Sequence, residues 1–449
     1  MKLKKLIGIL AVAGLAAPGI ASATNGYFSH GYGMKAKGMG GAATATASDA
    51  MGGANNPASM AFVGDRLDVG VDWFRPVRSA SRTGAVTSDG VETVQLNGSM
   101  DSDKKDFFVP EFGYNKMLSP DMSLGVTAYG NGGMNTDYSP QTGAYTCSFR
   151  PLAAMTAPRD NMLCGTGKLG VNLEQLIIAP TFAYKVAPDH SIGVSPLFGY
   201  QRFSADGLDA FGAISSDGSN LTNRGHDSAH GWGVRVGWQG KVTNTVTLGA
   251  AYSSKINMSK FSKYKGLFAE EGDFDIPANY TLGAAFKATP DVTVALDYQR
   301  IQYSGVKAVS NSSRTAGCTP SLTGGTGSAC MGGADGLGFG WQSINVWKLG
   351  VEYKMSNALT VRAGYNHGDN PIRSEDVTFN ILAPGVITDH ITLGATYAVT
   401  PASEVTVAYM HAMEKKVSGA STNPYFTTMG TEEIKMYQDS LGVTYGMKF

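Results

Sequence analysis

The seven histidines and four cysteines are the residues best suited to metal or nucleophilic chemistry, and their spacing builds neither. His226 and His230 stand four apart, but at a loop–strand junction, where the shared face of a helical histidine pair does not exist. Neither His-Glu-x-x-His nor Gly-x-Ser-x-Gly occurs. Gly31-x-Gly33 lacks the preceding strand and following acidic residue of a dinucleotide turn. The cysteines form two local pairs, Cys147 with Cys164 and Cys318 with Cys330. An even count in an exported chain predicts two disulfides, and the absence of a Cys-x-x-Cys argues against zinc. No catalysis, metal or cofactor is expected.

Binding chemistry remains. Between residues 255 and 275, Ile256, Phe261, Tyr264, Leu267 and Phe268 lie among Lys255, Lys260, Lys263 and Lys265. An apolar patch among lysines suits an amphipathic anion such as a fatty acid. Leu208 and Phe211, three apart in the segment 205–227, supply a facing wall. The same lysines suit the phosphates of lipopolysaccharide equally well. Arg235, Asp297, Lys348, Glu352 and Arg362 fall on the polar side of alternating segments. Buried charges require partners, so these residues should pair with one another or with whatever fills the interior. Arg235 and Arg362 have the fork geometry to hold a substrate carboxylate.

The elements that position these residues follow from periodicity. Glycine is abundant at 58 residues, and the 36 basic residues balance 36 acidic ones, which excludes a nucleic-acid partner. Lys2, Lys4 and Lys5, the apolar run Leu6 to Ala17 and Ala21-Ser22-Ala23 predict a cleaved signal sequence over residues 1–23. From about Arg66 the chain alternates apolar and polar residues, as in Ile391, Leu393, Ala395, Tyr397 and Val399. A period of two gives each strand one face of each kind. Strands are predicted near 66–82, 106–117, 122–134, 169–187, 190–204, 228–242, 245–257, 278–289, 292–306, 341–355, 358–367, 387–399, 403–415 and 434–449. Tight turns such as Ala187-Pro188-Asp189 and Thr289-Pro290-Asp291 alternate with long loops, expected at about 18 to 35 residues. Such segregation of loop length predicts an all-β, 14-stranded antiparallel transmembrane barrel in a Gram-negative outer membrane, residues 65–449. The last strand ends on Phe449, which resembles the signal read by the outer-membrane assembly machinery.

Residues 24–64 do not alternate. They are rich in Gly, Ala, Asn and Met, and too poor in apolar bulk to fold alone. Before a first barrel strand, such a stretch is expected to plug the lumen, with Asn56-Pro57 as a rigid turn. Here the sequence resembles the FadL/TodX family of outer-membrane transporters. The resemblance rests on Asn56-Pro57-Ala58 in the hatch, on the glycine-rich run Gly31 to Ala42, on Val109-Pro110 and on Tyr129-Gly130-Asn131-Gly132-Gly133. It extends through Tyr298 to Val306 and Gly364 to Ile372, and so covers most of the chain.

The resemblance implies uptake of long-chain fatty acids or similar hydrophobic compounds by a monomer. Cargo would enter at an outer groove, pass to an apolar pocket near Tyr27 and Phe28, and leave through a lateral gap at a kinked third strand. Gly130, Gly132 and Gly133 independently predict a break there, because glycine permits bulges. The competing expectation is a general diffusion porin or a structural barrel, whose lumen would stand open.

Overall fold

Between Asp389 and Thr400 the outward side chains are Ile391, Leu393, Tyr397 and Val399, 46 to 57% exposed, whereas His390, Thr392 and Thr396 between them are buried. A water-soluble sheet does the opposite. Apolar outside and polar inside is the arrangement for a wall that meets lipid.

The computed structural model describes residues 24–88, 93–141, 160–314, 317–422 and 430–449. The expected signal sequence and Cys147, with its pairing to Cys164, lie outside the described residues. The closed wall has 14 antiparallel strands. They are β1 (Arg66–Thr83), β2 (Phe107–Ser119), β3 (Met122–Asn135), β4 (Gly170–Ala187), β5 (His190–Asp206), β6 (Asp227–Lys241) and β7 (Val246–Ser253). Then follow β8 (Asn279–Lys287), β9 (Val292–Ile301), β10 (Ile344–Lys354), β11 (Leu359–Gly368), β12 (Asp389–Thr400), β13 (Ser403–Ala420) and β14 (Thr431–Lys448). Each strand pairs with its neighbour in sequence, and β1 pairs with β14 from Arg66↔Lys448 to Thr83↔Thr431, which closes the ring. Closure satisfies the backbone where no water can. Among the described residues no helix is long and apolar enough to cross a membrane.

Short turns at 120–121, 188–189, 242–245, 288–291, 355–358 and 401–402 lie at one end, and the long connections at the other. Two of these connections depart from the expected length. The connection 302–343 is longer, because β9 stops at Ile301, a tight turn occupies Tyr303–Gly305, and β10 starts at Ile344. The connection 421–430 is shorter, because β13 and β14 continue their pairing to Ala420↔Thr431. The seventh strand also ends early, at Ser253, and Asn257–Met258 pairs separately with β6. Cys318 and Cys330 are joined as expected and tie the long connection to itself.

Aromatic side chains ring the outer surface twice. Tyr184, Phe286, Tyr353, Tyr397 and Tyr445 are exposed near the short turns. Toward the loops a repeat appears: Trp73-x-Arg75, Tyr200-x-Arg202, Tyr298-x-Arg300, Tyr365-x-His367 and Tyr409-x-His411, all on strands running toward the loops. For four of the five the next strand or its flanking loop supplies partners, whereas Arg202 reaches back to Glu174 of β4 at 3.9 Å. Asp389 takes Tyr365 and His367, Asp439 takes Tyr409 and His411, and Asn345 Oδ1 takes Tyr298 and Arg300 at 2.8 and 2.9 Å. Amphipathic rings with a polar group above them fit the boundary between hydrocarbon and headgroups.

Between the two rings the wall should not tolerate charge. Leu393→Arg is expected to lower the stability of the bilayer-folded protein by about 2–4 kcal/mol. Urea titration of refolding into lipid vesicles measures this loss.

Candidate functional site

Residues 24–64 lie against the inward side chains of the wall. Short helices α1 (Met34–Gly38), α2 (Gly52–Asn55) and α3 (Met60–Val63) are connected by turns, one of which is the tight helical turn Pro57–Ser59. Asn56 explains the motif it begins. Its Oδ1 accepts from Ala58 N at 3.1 Å, while its Nδ2 donates to Thr44 O at 2.8 Å and to Trp238 O on β6 at 2.9 Å. Pro57 then opens the turn, and Ala58 O accepts from Ser191 Oγ of β5 at 2.8 Å. Gly193 and Gly237 face this turn, and a methyl group at either would collide with it.

Charged residues of the lumen fasten the segment further. Asp297 Oδ2 accepts both Ala43 N and Thr44 N at 2.9 Å. Lys37 Nζ meets Asp72 at 2.7 Å, and Lys35 Nζ meets Glu404 at 2.5 Å. Glu404 also takes Arg66, which forks onto Asp68. Arg362 is committed to Glu352 at 2.7 Å and to Thr396 Oγ1 at 2.6 Å. Of the five lumenal charges singled out in the sequence, Asp297 thus meets residues 43 and 44 and Arg362 meets Glu352. Arg235 differs. It donates to Ser253 Oγ at 2.7 Å and approaches Gly53 O at 3.4 Å, and among the described residues no carboxylate pairs with it.

The third strand breaks where its glycines cluster. Pairing between β3 and β4 slips by one residue between Gly130↔Leu176 and Gly132↔Gln175, leaving Asn131 as the extra residue. The N-terminal segment fills the gap in hydrogen bonding. Ser29 N donates to Asn131 O at 3.1 Å, and Phe28 bridges to Gly132. Asn131 also donates to Gln175 at 2.9 Å and accepts from the Tyr32 hydroxyl at 2.8 Å.

Beside this break lies a narrow, mainly apolar cavity. Gly26 and Tyr27 form one side, Gly133, Met134 and Asn135 of β3 another, and Met436 of β14, Trp341 and Ala383–Gly385 the rest. Tyr27 packs its ring against Phe28, Tyr303 and Trp341 at 5.5, 5.2 and 5.8 Å. Arg78 of β1 also lines the cavity. Its terminal nitrogens bond to the carbonyls of Asn135 and Lys104, and its charge lies 5.7 Å from the Phe107 ring centre. Its Nε is buried without a partner, and no carboxylate pairs with it among the described residues. Arg78 and Trp341 were not foreseen. The inward series Asp72, Phe74, Pro76, Arg78 of β1 was readable from the alternation, but nothing in sequence brings Trp341 to it.

The outer-loop patch is assembled differently from the expected groove. Phe261, Tyr264, Leu267 and Phe268 are buried together with Leu208 and Phe211. Phe203 is their hub, with Tyr264 at 4.9 Å and Phe268 at 4.8 Å, and Phe274 continues the series toward Tyr27 at 4.8 and 6.3 Å. The lysines hold the loops shut: Lys255 to Asp275 at 2.6 Å, Lys265 to Asp217 at 2.9 Å, and Lys263 Nζ to His226 O at 2.7 Å. The two walls expected of the groove are in contact, because loops 207–226 and 254–278 bury each other's apolar side chains.

A lipid-facing barrel with its N-terminal segment packed against the inner wall and an apolar cavity at a strand break has the architecture of an outer-membrane channel. The chain belongs to the outer membrane protein transport family OMPP1/FadL/TodX, whose model matches residues 14–449. This is a family of transport channels, not enzymes, and it places the protein in the outer membrane. The toluene transporter TodX of Pseudomonas putida has the same fold at 20% identity and TM-score 0.66, over 95% of this chain and 100% of its own. A Pseudomonas aeruginosa FadL homologue matches at 15% identity and TM-score 0.66, over 94% and 100%. The Ralstonia pickettii toluene transporter TbuX matches at 17% and 0.59, over 94% and 99%. No curated protein sequence matches the chain.

Asn56→Ala strips three hydrogen bonds from one buried side chain and leaves two carbonyls without this donor. It should destabilise the seating of the plug by about 1–3 kcal/mol, read as faster proteolysis of residues 24–64 from the short-turn end. Asp273, in the outer loops, has its carboxyl pushed up to about 6 by burial first and by Asp275 and Glu270 next. Its ionisation therefore costs stability as pH rises from about 4 through 6. Loop 254–278 should resist protease better at pH 5 than at pH 7, by on the order of 1 kcal/mol after discounting for solvent screening. Asp273→Asn should remove the difference.

Proposed function

We propose that this channel takes hydrophobic small molecules from the outer face into the Tyr27–Trp341 cavity and releases them sideways, into the membrane, at the break in β3. The observation that carries this reading is the shared wall: Gly133 lines the cavity and lies within two residues of the slipped pairing. A greasy molecule leaving there exchanges one apolar surface for another, whereas a path through water forfeits about 0.8 kcal/mol per CH₂. The aromatic series Phe203, Phe268, Phe274, Tyr27 supplies an apolar route from the loops to the cavity. Capture then requires loops 207–226 and 254–278 to part, with Lys263 and its neighbouring lysines as the latch and Phe261, Tyr264, Leu267 and Phe268 as the exposed surface.

Cargo chemistry follows from the cavity. Its apolar lining suits a compact hydrophobic molecule once Tyr27 and its neighbours move aside, in keeping with the toluene transporters among its structural neighbours. Arg78 adds a charge for an acid head, so a fatty acid fits if its chain extends between the loops. Arg362 is occupied by Glu352, which leaves Arg78 the better candidate for that role.

The test is uptake of labelled toluene and labelled palmitate by cells expressing the protein. Gly132→Phe should abolish both while the barrel still folds, shown by its heat-modifiable migration in SDS gels. Arg78→Met should lower palmitate uptake at least tenfold and leave toluene within twofold. Uptake of both cargoes unchanged in Gly132→Phe removes lateral release, and a large steady conductance in planar bilayers would favour an open porin.

A further inference from the structure

The connection between β11 and β12 turns inward instead of running over the surface. Val377, Phe379, Ile381, Leu382, Val386 and Ile387 are all buried, and Ala383, Pro384 and Gly385 form part of the cavity wall. Loops normally stay outside, because a buried one must find partners for its backbone polar groups. This loop finds them unevenly. Its first half is anchored by Asn380, which accepts from Trp341 Nε1 at 2.6 Å and donates to Phe339 O and Asp376 O at 2.7 and 2.8 Å. From Ile381 to Ile387, only two hydrogen bonds reach other elements among the described residues. The Tyr138 hydroxyl donates to Ile381 O at 3.0 Å, and the Thr136 hydroxyl donates to Leu382 O at 2.8 Å. Every other hydrogen bond of this stretch goes to a residue at most three positions away.

The strand side of the cavity is held more firmly. Arg78 and Met436 are partners in the ladder of β1 and β14, and Gly133, Met134 and Asn135 pair with β4. A cavity this narrow admits cargo only where its wall yields, and strands bound on the ladder yield least. The stretch 381–387 has two side-chain hydroxyls to release.

We infer that residues 381–387 are the adjustable wall that decides how large a hydrophobic molecule the cavity admits, and that Thr136 and Tyr138 are the positioning residues that limit how far it yields. Both follow directly on β3, whose last residues line the same cavity, yet neither lines it themselves. They act on cargo through the loop alone. Removing either hydroxyl leaves a buried carbonyl without its donor and favours arrangements in which the loop stands further out. The inference rests on the reading of this cavity as the resting place of the cargo.

The test supplies toluene and butylbenzene to cells expressing the protein, and follows import of each by gas chromatography above that of cells lacking the protein. The ratio of butylbenzene to toluene import should rise about fivefold in the double variant Thr136→Val, Tyr138→Phe, since an apolar wall discriminates by methylenes. It should rise about threefold in Thr136→Val alone and stay within about twofold of wild type in Thr136→Ser, which keeps the hydroxyl. Heat-modifiable migration establishes that each variant is folded, and Thr136→Val decides if the double variant is not. An equal rise in Thr136→Ser and Thr136→Val overturns the inference. Import by wild type with an unchanged ratio in the folded variants overturns this inference alone, whereas import of neither compound by wild type overturns the cargo reading and this inference with it.

Discussion

Hydrocarbon offers no partner to a backbone N–H or C=O, and every feature of this wall answers that fact. Strands pair with their neighbours, and β1 returns to β14 so that no edge is left. The slip at Asn131 is the informative exception. A bulge interrupts the ladder, and the carbonyl it orphans accepts from Ser29, which belongs to the plug. Wall and plug are therefore energetically coupled at this point. Withdrawing the segment leaves a buried carbonyl without its donor, a loss of about 1–3 kcal/mol, and so loosens the strand beside the cavity.

The lumen sorts its charges into two kinds. Asp72, Asp297, Glu404 and Glu352 are each spent on a lysine, an arginine or a pair of amides. Such pairs gain little net stability over apolar packing, but removing one member typically costs 3–5 kcal/mol, so they specify where the plug sits. Arg78 and Arg235 are of the other kind: among the described residues neither has a carboxylate within ion-pair distance. They stand on opposite sides of the short segment 26–32, Arg78 beside Tyr27 and Arg235 beside Tyr32.

What could be read from the sequence follows the range of the interactions. Strand periodicity is local, and Ile391-x-Leu393-x-Ala395-x-Tyr397 declares its lipid face without help. Loop length is local too, and its segregation disclosed the barrel. The break in β3 was legible because Gly130, Gly132 and Gly133 lie within four residues. Asn56 was legible only through its resemblance to a family motif, since its partners Thr44 and Trp238 are remote. The cavity was not legible: Tyr27, Arg78, Trp341 and Met436 meet only through barrel closure and the fold of a long loop. The loop residues around Phe261 were legible as an apolar cluster, but composition cannot say how tightly the two loops close on each other. The repeated aromatic-x-basic pairs escaped notice, as loops of unequal length hide their spacing.

The cluster of Lys35, Arg66, Asp68 and Glu404 also links the closing of the wall to the segment inside it. Arg66 opens the first strand, and Glu404 stands at the start of the thirteenth, with the fourteenth lying between them in the ring. These residues become neighbours only once the seam between the first and last strands has zipped shut. Lys35 of the plug grips that same glutamate. One carboxylate therefore serves two ends, holding the N-terminal segment and bracing the join where the cylinder closes.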